Sequence, residues 1–206
     1  MERKNLALLC AGVVCFWLFA LAFGTATVPK VEKITGPGNI FVTLAKKAVI
    51  GHVDIDMLAG PSEILIVADD SANPTYLAAD LLSQAEHDPL ACAILITDSE
   101  RVANAVGEEI EVQLAQLPRK EIAGTSLQQA GKIILAKDMP TVIEMANLSA
   151  PEHLEIMTKA PFEIMPYIRN AGAMFLGAYS PEPLGDYYAG PNHVLPTGGT
   201  AKFYSV

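Results

Sequence analysis

Cysteine is scarce in this chain, which has only three among its 206 residues, Cys10, Cys15 and Cys92. They form neither a CxxC pair nor an evenly spaced framework, and an odd count argues against a disulfide scaffold. The sequence therefore indicates a reducing compartment, and we expect the protein in the cytoplasm.

Charge is also scarce, and positive charge most of all. Only 18% of the residues are charged, and 14 Lys and Arg stand against 23 Asp and Glu, a net charge of -9. No basic stripe interleaved with aromatic residues is present, which argues against nucleic acid as a partner. By contrast, 51% of the residues are hydrophobic, enough to bury one sizeable core and a second small lobe.

An unbroken uncharged run rich in Leu, Val, Phe and Ala lies near the amino terminus, at residues 6–23, and is preceded by Arg3 and Lys4. About 18 apolar residues reach the lower limit of a membrane span, and the positive flank suits a signal sequence or an anchor. The run is equally compatible with a buried strand and helix of a soluble core, which periodicity does not distinguish from a span. From the residues alone both interpretations stay open.

After Gly24 short β-rich runs alternate with helical stretches, a pattern typical of an α/β fold. The clearest unit has a strand at 63–67, a cap at Asn73 with Pro74 at the first helical position, a helix that ends at Asp88-Pro89, and a strand at 92–97. These features predict a right-handed βαβ crossover. The further predicted elements are a helix at 100–117, a strand at 132–136, a helix at 141–148, a strand at 154–158, a helix reaching residue 170 and a strand at 173–176.

We therefore predict a doubly wound, mostly parallel sheet flanked by helices, Rossmann-like in organisation. Beyond Ser180 glycine and proline become frequent, so we expect a long irregular loop without regular helix. Loops of this kind usually carry function or pack over a site.

Gln84 and His87 are the first candidate site residues. They are three apart on the predicted helix, so both side chains are expected on one face at its carboxyl end. That spacing would suit a two-ligand metal clamp. The alternative is a histidine that only complements the helix dipole or caps the helix, and spacing alone favours this simpler interpretation because glutamine is an uncommon zinc ligand.

Glu152 and His153 form a second candidate, at the amino-terminal edge of the predicted strand that follows them. A carboxylate beside an imidazole is a common arrangement for proton transfer in enzymes. The alternative, a solvated charged turn, is favoured from these residues alone.

Several candidates lie in turns and loops. Asp186 and His193 share the glycine and proline loop and would suit zinc, although turn formation also accounts for the aspartate. Asn39 closes the turn Gly36-Pro37-Gly38-Asn39, whose bare backbone could approach a phosphate or ribose, but the spacing is not that of a dinucleotide fingerprint. Ser62 lies in a similar turn before a strand, and His52 is interpreted as structural.

Five of these stretches together resemble the histidinol dehydrogenase family, from about residue 20 to the end. They are Gly36-Pro37-Gly38-Asn39, Ala59-Gly60-Pro61-Ser62-Glu63, Ser83-Gln84-Ala85-Glu86-His87, Pro151-Glu152-His153-Leu154 and Asn192-His193-Val194-Leu195-Pro196-Thr197, in the family's order and close to its spacing. The resemblance implies a zinc enzyme that oxidises the small molecule L-histidinol through the aldehyde to L-histidine and reduces two NAD in succession.

The resemblance also implies a role for each candidate residue. Zinc would be held by Gln84, His87 and Asp186, which thereby face the substrate together with His153. His153 would be the base and Glu152 would activate water for the second oxidation. Ser62 and His193 would contact the substrate, and Asn39 would contact NAD.

Two departures from the family pattern qualify these expectations. The family continues past the position of Val206, and its fourth zinc ligand, a histidine of that tail, comes from the partner subunit of an intertwined homodimer. We expect a homodimer here whose site is open by one protein ligand. Near the amino terminus, stretches 6–13 and 20–27 resemble family sequence, and the short apolar stretch 14–19 joins them. Two core segments of the family joined in this way would give an uncharged run, so this interpretation is favoured over a membrane anchor at 6–23.

We accordingly divide the chain into an apolar segment at 1–27 and a histidinol dehydrogenase-like α/β region at 28–206. Two other functions stay open at this stage. One is an inactive fragment or assembly module of the same fold, and the other is a zinc-dependent hydrolase that uses Glu152 as its base.

Overall fold

A computed structural model of the chain describes residues 3–190 and 194–204. The chain forms two units, Met1–Gly60 and Pro61–Val206. Residues 28–60 thus belong to the same unit as the apolar amino-terminal run. The division at residue 27 was drawn from the family resemblance. It stays a prediction about the origin of the two segments, and it differs from the boundary between the two units at residues 60 and 61.

The first unit is built from two helices and a pair of short strands. They are α1 Arg3–Phe23, β1 Lys33–Ile34, α2 Ile40–Val49 and β2 Asp54–Ile55, with β1 and β2 parallel. Leu18 and Ala22 of α1 pack against Ala45 and Val49 of α2. The apolar run therefore forms one helix rather than a strand followed by a helix. Within the part of the chain that the structure describes, no helix has both the length and the apolarity needed to cross a membrane.

The second unit contains a single five-stranded sheet among its described residues. Its elements are β3 Glu63–Ala68, α3 Pro74–Ala85, β4 Cys92–Thr97, α4 Glu100–Leu114, α5 Lys120–Ala130, β5 Lys132–Leu135, α6 Met139–Ser149, β6 His153–Met157, α7 Pro161–Ile164, β7 Ala173–Leu176 and α8 Glu182–Leu184. Three further turns are a 3-10 turn at Met165–Tyr167, a π-helical turn at Gly185–Ala189 and a 3-10 turn at Thr200–Lys202.

The strand order is β5-β4-β3-β6-β7, and every neighbouring pair is parallel. The chain builds outward from β3 to β5 on one side, then crosses back to place β6 and β7 on the other. This order confirms the predicted doubly wound α/β fold. Alternate residues of β3 serve opposite faces: Ile64 and Ile66 join the core under α3 and α4, whereas Leu65 and Val67 join the core under α6.

Local capping explains why the first βαβ unit was predictable. The Asn73 side chain accepts a hydrogen bond from the Thr75 N–H, and Pro74 follows at the first helical position. Asp138 caps α6 through the Thr141 N–H in the same way. In both helices a short polar residue caps the amino terminus and a proline lies in the first turn.

Three sequence expectations differ from the structure. The helix expected at 100–117 ends at Leu114 and is followed by α5, a separate helix. The sequence of α5 contains Gly124 and Thr125, which are weak helix formers, yet its apolar side, with Ala123 and Leu127, packs against Leu82.

The other two differences concern proline. The helix expected to reach residue 170 is limited to α7 and the 3-10 turn, because Pro166 does not allow the helix to continue. The expectation of no regular helix beyond Ser180 is wrong for 182–189, where α8 and the π-helical turn form. Pro183 sits in the first turn of α8, where its missing N–H has no helical partner to lose.

Truncation of a β4 side chain tests the placement of the core. Leu95 is fully buried, whereas Leu148 of α6 is 65% exposed. We expect Leu95→Ala to lower the free energy of unfolding by about 2 to 5 kcal/mol and Leu148→Ala by less than about 0.5 kcal/mol, measured by urea denaturation. Equal losses would contradict the burial described here.

Candidate active site

Glu152 and His153 lie at the amino-terminal end of β6, immediately beside the central strand β3. Both side chains are buried, with 6% and 4% of their surfaces exposed. Ala150, which ends α6 with a left-handed backbone at φ 49°, directs the chain sharply into Pro151 and the strand. The solvated turn that the two residues alone favoured is therefore wrong, because this carboxylate and imidazole are enclosed by protein.

Hydrogen bonds to Glu63 fix the orientation of the His153 ring. His153 Nδ1 lies 3.0 Å from the Glu63 carbonyl oxygen. A carbonyl only accepts, so Nδ1 carries the proton and Nε2 holds the lone pair of the neutral ring. Glu152 Oε2 lies 3.6 Å from Nδ1, and Glu182 Oε1 lies 3.9 Å from Nε2. A proton accepted at Nε2 would thus meet carboxylates on both sides of the ring.

Glu63, the first residue of β3, was not singled out as a site residue by the sequence. Its backbone N–H donates to Glu152 Oε2 at 2.8 Å, and its own Oε1 accepts from the Gly198 N–H at 2.8 Å. Burial raises the pKa of the Glu63 carboxyl, while the Gly198 N–H opposes that rise. The sequence signal that could have indicated Glu63 is an acidic residue at the start of an otherwise apolar strand. Glu63 links β6 to the segment that follows residue 193.

Ser62, expected to contact substrate, immediately precedes β3. Its carbonyl oxygen accepts a hydrogen bond from the Cys92 N–H at 3.0 Å, which extends the ladder between β3 and β4. The Ser62 backbone is therefore fixed at the same edge of the sheet as Glu63 and Glu152.

Two further acids, the buried Glu155 of β6 and the partly buried Asp80 of α3, were also missed by the sequence. Glu155 on β6 has 1% of its surface exposed, and its Oε1 accepts from the Glu182 N–H at 2.8 Å. Burial, together with the nearby Asp80 carboxylate of α3, raises the pKa of Glu155 to about 9. Burial also raises the pKa of Asp80 to about 6. Because the pKa of Glu155 lies above that of Asp80, Glu155 is the one of the two acids that holds a proton at neutral pH.

Gln84 and His87 are arranged differently from the expectation of two residues on one helix. The helix α3 ends at Ala85, so His87 lies in the turn beyond it. Gln84 has 1% of its surface exposed, and within the described residues its Oε1 has no hydrogen-bond partner. His87 is exposed, and its Nδ1 lies 2.7 Å from the Ser83 carbonyl oxygen.

These two side chains fit a metal in their donor chemistry. A buried amide oxygen without a partner is costly unless a ligand satisfies it. The Ser83 carbonyl holds the proton of His87 on Nδ1, which leaves Nε2 available as a ligand, as in most metal-binding histidines. Among residues 3–190 and 194–204, no group of three or more His, Cys, Asp and Glu side chains is placed to hold a metal ion.

Two of the expected site residues are not fully described. His193 lies outside the described residues. The Asp186 backbone lies in the π-helical turn Gly185–Ala189, but its side chain is outside the described part of the structure. Their roles at the metal and the substrate stay predictions.

Asn39 belongs to the first unit, where it caps α2. Its Oδ1 accepts hydrogen bonds from the N–H groups of Phe41 and Val42, at 3.0 and 3.3 Å. The preceding glycine turn is held by Asp56, whose Oδ2 accepts from the Gly36 N–H at 2.7 Å and whose Oδ1 pairs with Lys46 at 2.6 Å. Although burial acts in the opposite direction, these partners lower the pKa of Asp56.

Gly38 in that turn cannot be replaced by a larger residue without rearrangement. An added Cβ would lie 2.4 Å from the side chain of Val42, so only a bare backbone fits against α2. The turn therefore presents backbone rather than side chains ahead of Asn39.

Residues 17–206 match the family model described as histidinol dehydrogenase. The chain belongs to the histidinol dehydrogenase family. It is 61% identical over 186 residues to the histidinol dehydrogenase of Aquifex aeolicus, a match that covers 90% of this chain and 44% of that protein. The family assignment made from the five motifs is thereby confirmed.

Solved structures agree with this assignment. The crystal structure of histidinol dehydrogenase from Elizabethkingia anophelis matches with a TM-score of 0.88 and 46% identity, over 92% of this chain and 44% of that one. A propionaldehyde dehydrogenase from Clostridium phytofermentans matches at 13% identity with a TM-score of 0.55, over 90% of this chain and 54% of that one, which shows a shared fold alone. The chain spans about 44% of the length of its Aquifex aeolicus relative.

Replacement of Glu155 tests the protonated acid pair. An unfolded glutamate titrates near pH 4, whereas the native pKa is about 9. Between these values the native state holds a proton that the unfolded chain has released. The contribution of this group to the free energy of unfolding is therefore fully present below about pH 4 and is lost as the pH rises toward 9. Between about pH 5 and 9, the free energy of unfolding should fall less steeply in Glu155→Gln than in the wild type.

The exposed Glu108 of α4 supplies a matched control. Urea unfolding of Glu108→Gln should follow the wild-type pH profile. Identical profiles for Glu155→Gln and the wild type would contradict a shared proton at Glu155.

Proposed function

We propose that this chain carries zinc-binding and proton-transferring residues of an NAD-linked histidinol dehydrogenase, which oxidises L-histidinol through the aldehyde to L-histidine. Membership of the family and the names of the relatives support the reaction. The single observation that carries the proposal is the buried Glu152–His153 pair, anchored on the backbone of Glu63.

The chemistry of the reaction sets what the residues must do. In the first oxidation the alcohol gives a hydride to NAD and a proton to a base. In the second the aldehyde takes up one water, and the hydrate gives a hydride to a second NAD while further protons leave as the carboxylate forms. The site therefore needs a base that works repeatedly and a group that removes a proton from water.

His153 is the base in this proposal. Its Nδ1–H donates a hydrogen bond to the Glu63 carbonyl oxygen, so a substrate proton is taken up at Nε2. The resulting imidazolium is stabilised by the carboxylates of Glu152 and Glu182, at 3.6 and 3.9 Å from the ring nitrogens. Burial excludes bulk water and strengthens both interactions.

Glu152 accepts the proton of the water that adds to the aldehyde. The Glu63 N–H holds one oxygen of its carboxylate at 2.8 Å and so fixes the plane of the group. Two neighbouring residues, one a carboxylate and one an imidazole, thus divide the proton transfers of the two oxidations. Ser62, at the same edge of the sheet, and His193 contact the substrate.

Zinc would be held by Gln84 Oε1, His87 Nε2 and Asp186. When bound, zinc would coordinate the imidazole and amine of histidinol and so orient the carbinol for hydride transfer. Two observations support this ligand set: Gln84 Oε1 has no hydrogen-bond partner among the residues that the structure describes, and His87 carries its proton on Nδ1. As the family resemblance implies, we propose that the protein is a homodimer.

Asn39 contacts NAD in this proposal. Its Oδ1 is committed to the helix cap, which leaves the amide NH₂ as a donor for a ribose or phosphate oxygen. The bare backbone of the glycine turn before it, where Gly38 has no room for a side chain, supports close approach of a nucleotide.

Removal of one imidazole tests the zinc site. His87→Ala should lower the zinc content of the purified protein from about one per chain to near zero, because a lost ligand cannot be replaced by alanine. His52 is an exposed histidine in the first unit, where its ring packs on Phe23, and His52→Ala is the matched control. Metal analysis after dialysis gives the result, and equal zinc retention in both variants would rule out His87 as a ligand.

Separation of the two oxidations tests Glu152. The zinc-loaded wild-type chain should form two NADH for each histidinol consumed, whereas Glu152→Gln should stop near one and lose about 10²-fold or more in aldehyde oxidation. Glu108→Gln should behave as wild type. Histidinol-dependent NADH formation is followed by absorbance at alkaline pH, and its absence in the wild-type chain would refute the proposed activity.

A further inference from the structure

Gly36, the first residue of the glycine turn 36–39, is held through both of its peptide groups by a buried ion pair. Its N–H donates to Asp56 Oδ2 at 2.7 Å, and its carbonyl oxygen accepts a hydrogen bond from Lys46 Nζ. Lys46 Nζ also pairs with Asp56 Oδ1 at 2.6 Å. The ammonium, the carboxylate and the backbone of Gly36 therefore form one closed set of contacts.

The short sheet of the first unit brings these groups together. The register sets Ile34 of β1 beside Ile55 of β2, and the Asp56 N–H donates to the Ile34 carbonyl oxygen at 3.2 Å. Gly36 and Asp56 therefore follow the same end of two parallel strands. Lys46, a buried residue of α2, contacts both of them from that helix.

Burial distinguishes this ion pair from a second one in the same unit. The side chains of Lys46 and Asp56 are 6% and 12% exposed, whereas those of Lys33 and Asp54, whose Nζ and Oδ2 lie 3.0 Å apart, are 55% and 66% exposed. An exposed pair contributes little to a structure, whereas a buried pair fixes the groups around it because neither charge can lose its partner cheaply. The exposed pair is therefore a matched control for the buried one.

The backbone of Gly36 requires a constraint of this kind. Its φ of 128° lies where side chains are rarely tolerated, and glycine loses more conformational freedom on being fixed than any other residue. A Cβ added at Gly36 would meet no atom of the described residues within 4 Å, so open space lies beside the turn. The turn is thus fixed by contacts within the first unit and stays open to the approach of a ligand.

We propose that the buried Lys46–Asp56 ion pair is a positioning device for NAD, which fixes the turn 36–39 before the nucleotide binds. This inference rests on the proposed contact between Asn39 and NAD. Neither charged side chain touches the nucleotide, because both are committed to Gly36 and to each other. They act through the backbone of the turn that leads to Asn39.

A turn that is fixed in advance lowers the cost of binding. A flexible glycine segment has to be ordered when its ligand binds, and this ordering weakens the affinity. The ion pair supplies the order beforehand, through charge-assisted hydrogen bonds to the N–H and the carbonyl oxygen of one residue. Replacement of both charges at once leaves no buried charge without a partner, so the fold should tolerate it while the turn gains freedom.

A double variant tests this role. In Lys46→Met with Asp56→Ala, the Gly36 N–H loses its acceptor, and water can reach this half-buried residue. Hydrogen exchange of the Gly36 amide should become fast, while the urea midpoint of unfolding stays near the wild-type value. The dissociation constant for NADH, measured by the fluorescence of the nucleotide, should rise about tenfold or more.

The exposed pair supplies the control. Lys33→Met with Asp54→Ala makes the same chemical changes on the same short sheet, and it should leave both the Gly36 exchange rate and the NADH affinity at wild-type values.

Asp56→Asn is a smaller change that keeps the volume of the side chain. Its amide has one acceptor atom where the carboxylate has two, so it cannot accept from the Gly36 N–H on one side and from Lys46 on the other. NADH affinity should fall, but by less than in the double variant.

Steady-state kinetics of the zinc-loaded chain separate positioning from a general loss of structure. In the double variant the KM for NAD should rise about tenfold, whereas the KM for histidinol should stay within about twofold of the wild-type value. A structural defect that spreads beyond the turn would raise both constants together, and that result would contradict a role confined to the nucleotide.

Asn39→Asp tests the proposed NAD contact separately, because aspartate keeps the cap of α2 and removes the amide donor. Wild-type NADH affinity in Asn39→Asp would refute that contact, and a wild-type chain that binds no NADH would refute both proposals. Weaker binding in Asn39→Asp together with wild-type affinity in the double variant would overturn the positioning role alone. A slowly exchanging Gly36 amide in the double variant would also overturn it, since the ion pair would then not hold the turn.

Discussion

Parallel pairing of β3 with β6 is the interaction on which the rest of the second unit depends. The register sets Ile64 beside His153, so Glu63 lies next to Glu152 at the start of both strands. From that position the backbone of Glu63 donates to one side chain and accepts from the other. The strands also divide the interior into two cores, so a shift of one residue would turn His153 and Glu155 to the wrong face.

The position of this pair in the sheet is unusual for a doubly wound fold. Ligands of open α/β sheets commonly bind beyond the carboxyl ends of the strands, where the strand order reverses. Glu152 and His153 instead lie at the amino-terminal end of β6, beside the central strand β3. The fold class alone would therefore predict a site at the opposite edge of the sheet, and only the motifs point to this candidate site.

Local signals explain which parts were predictable. The strands β3 and β4 are continuous apolar runs, and Asn73 with Pro74 marks a helix start, so short windows of sequence were sufficient. The helix α5 is interrupted by the weak helix formers Gly124 and Thr125 and packs against α3, a contact that no short window of sequence contains. Glu155 was missed for the same reason, because its meaning lies in a partner on a distant helix. The end of α3 was predicted at Asp88-Pro89 rather than at Ala85, because no glycine marks the end of the helix.

The contacts of Glu63 also determine when the candidate site can form during folding. The hydrogen bond from Glu63 to Glu152 joins residues that are 89 apart in the sequence, and closing so long a loop is slow and entropically costly. Before β3 and β6 meet, the imidazole of His153 has no partner for Nδ1 and the two neighbours are an ordinary pair of solvated side chains. The candidate acid and base are therefore brought together only when the sheet is complete, and a partly folded chain lacks their arrangement.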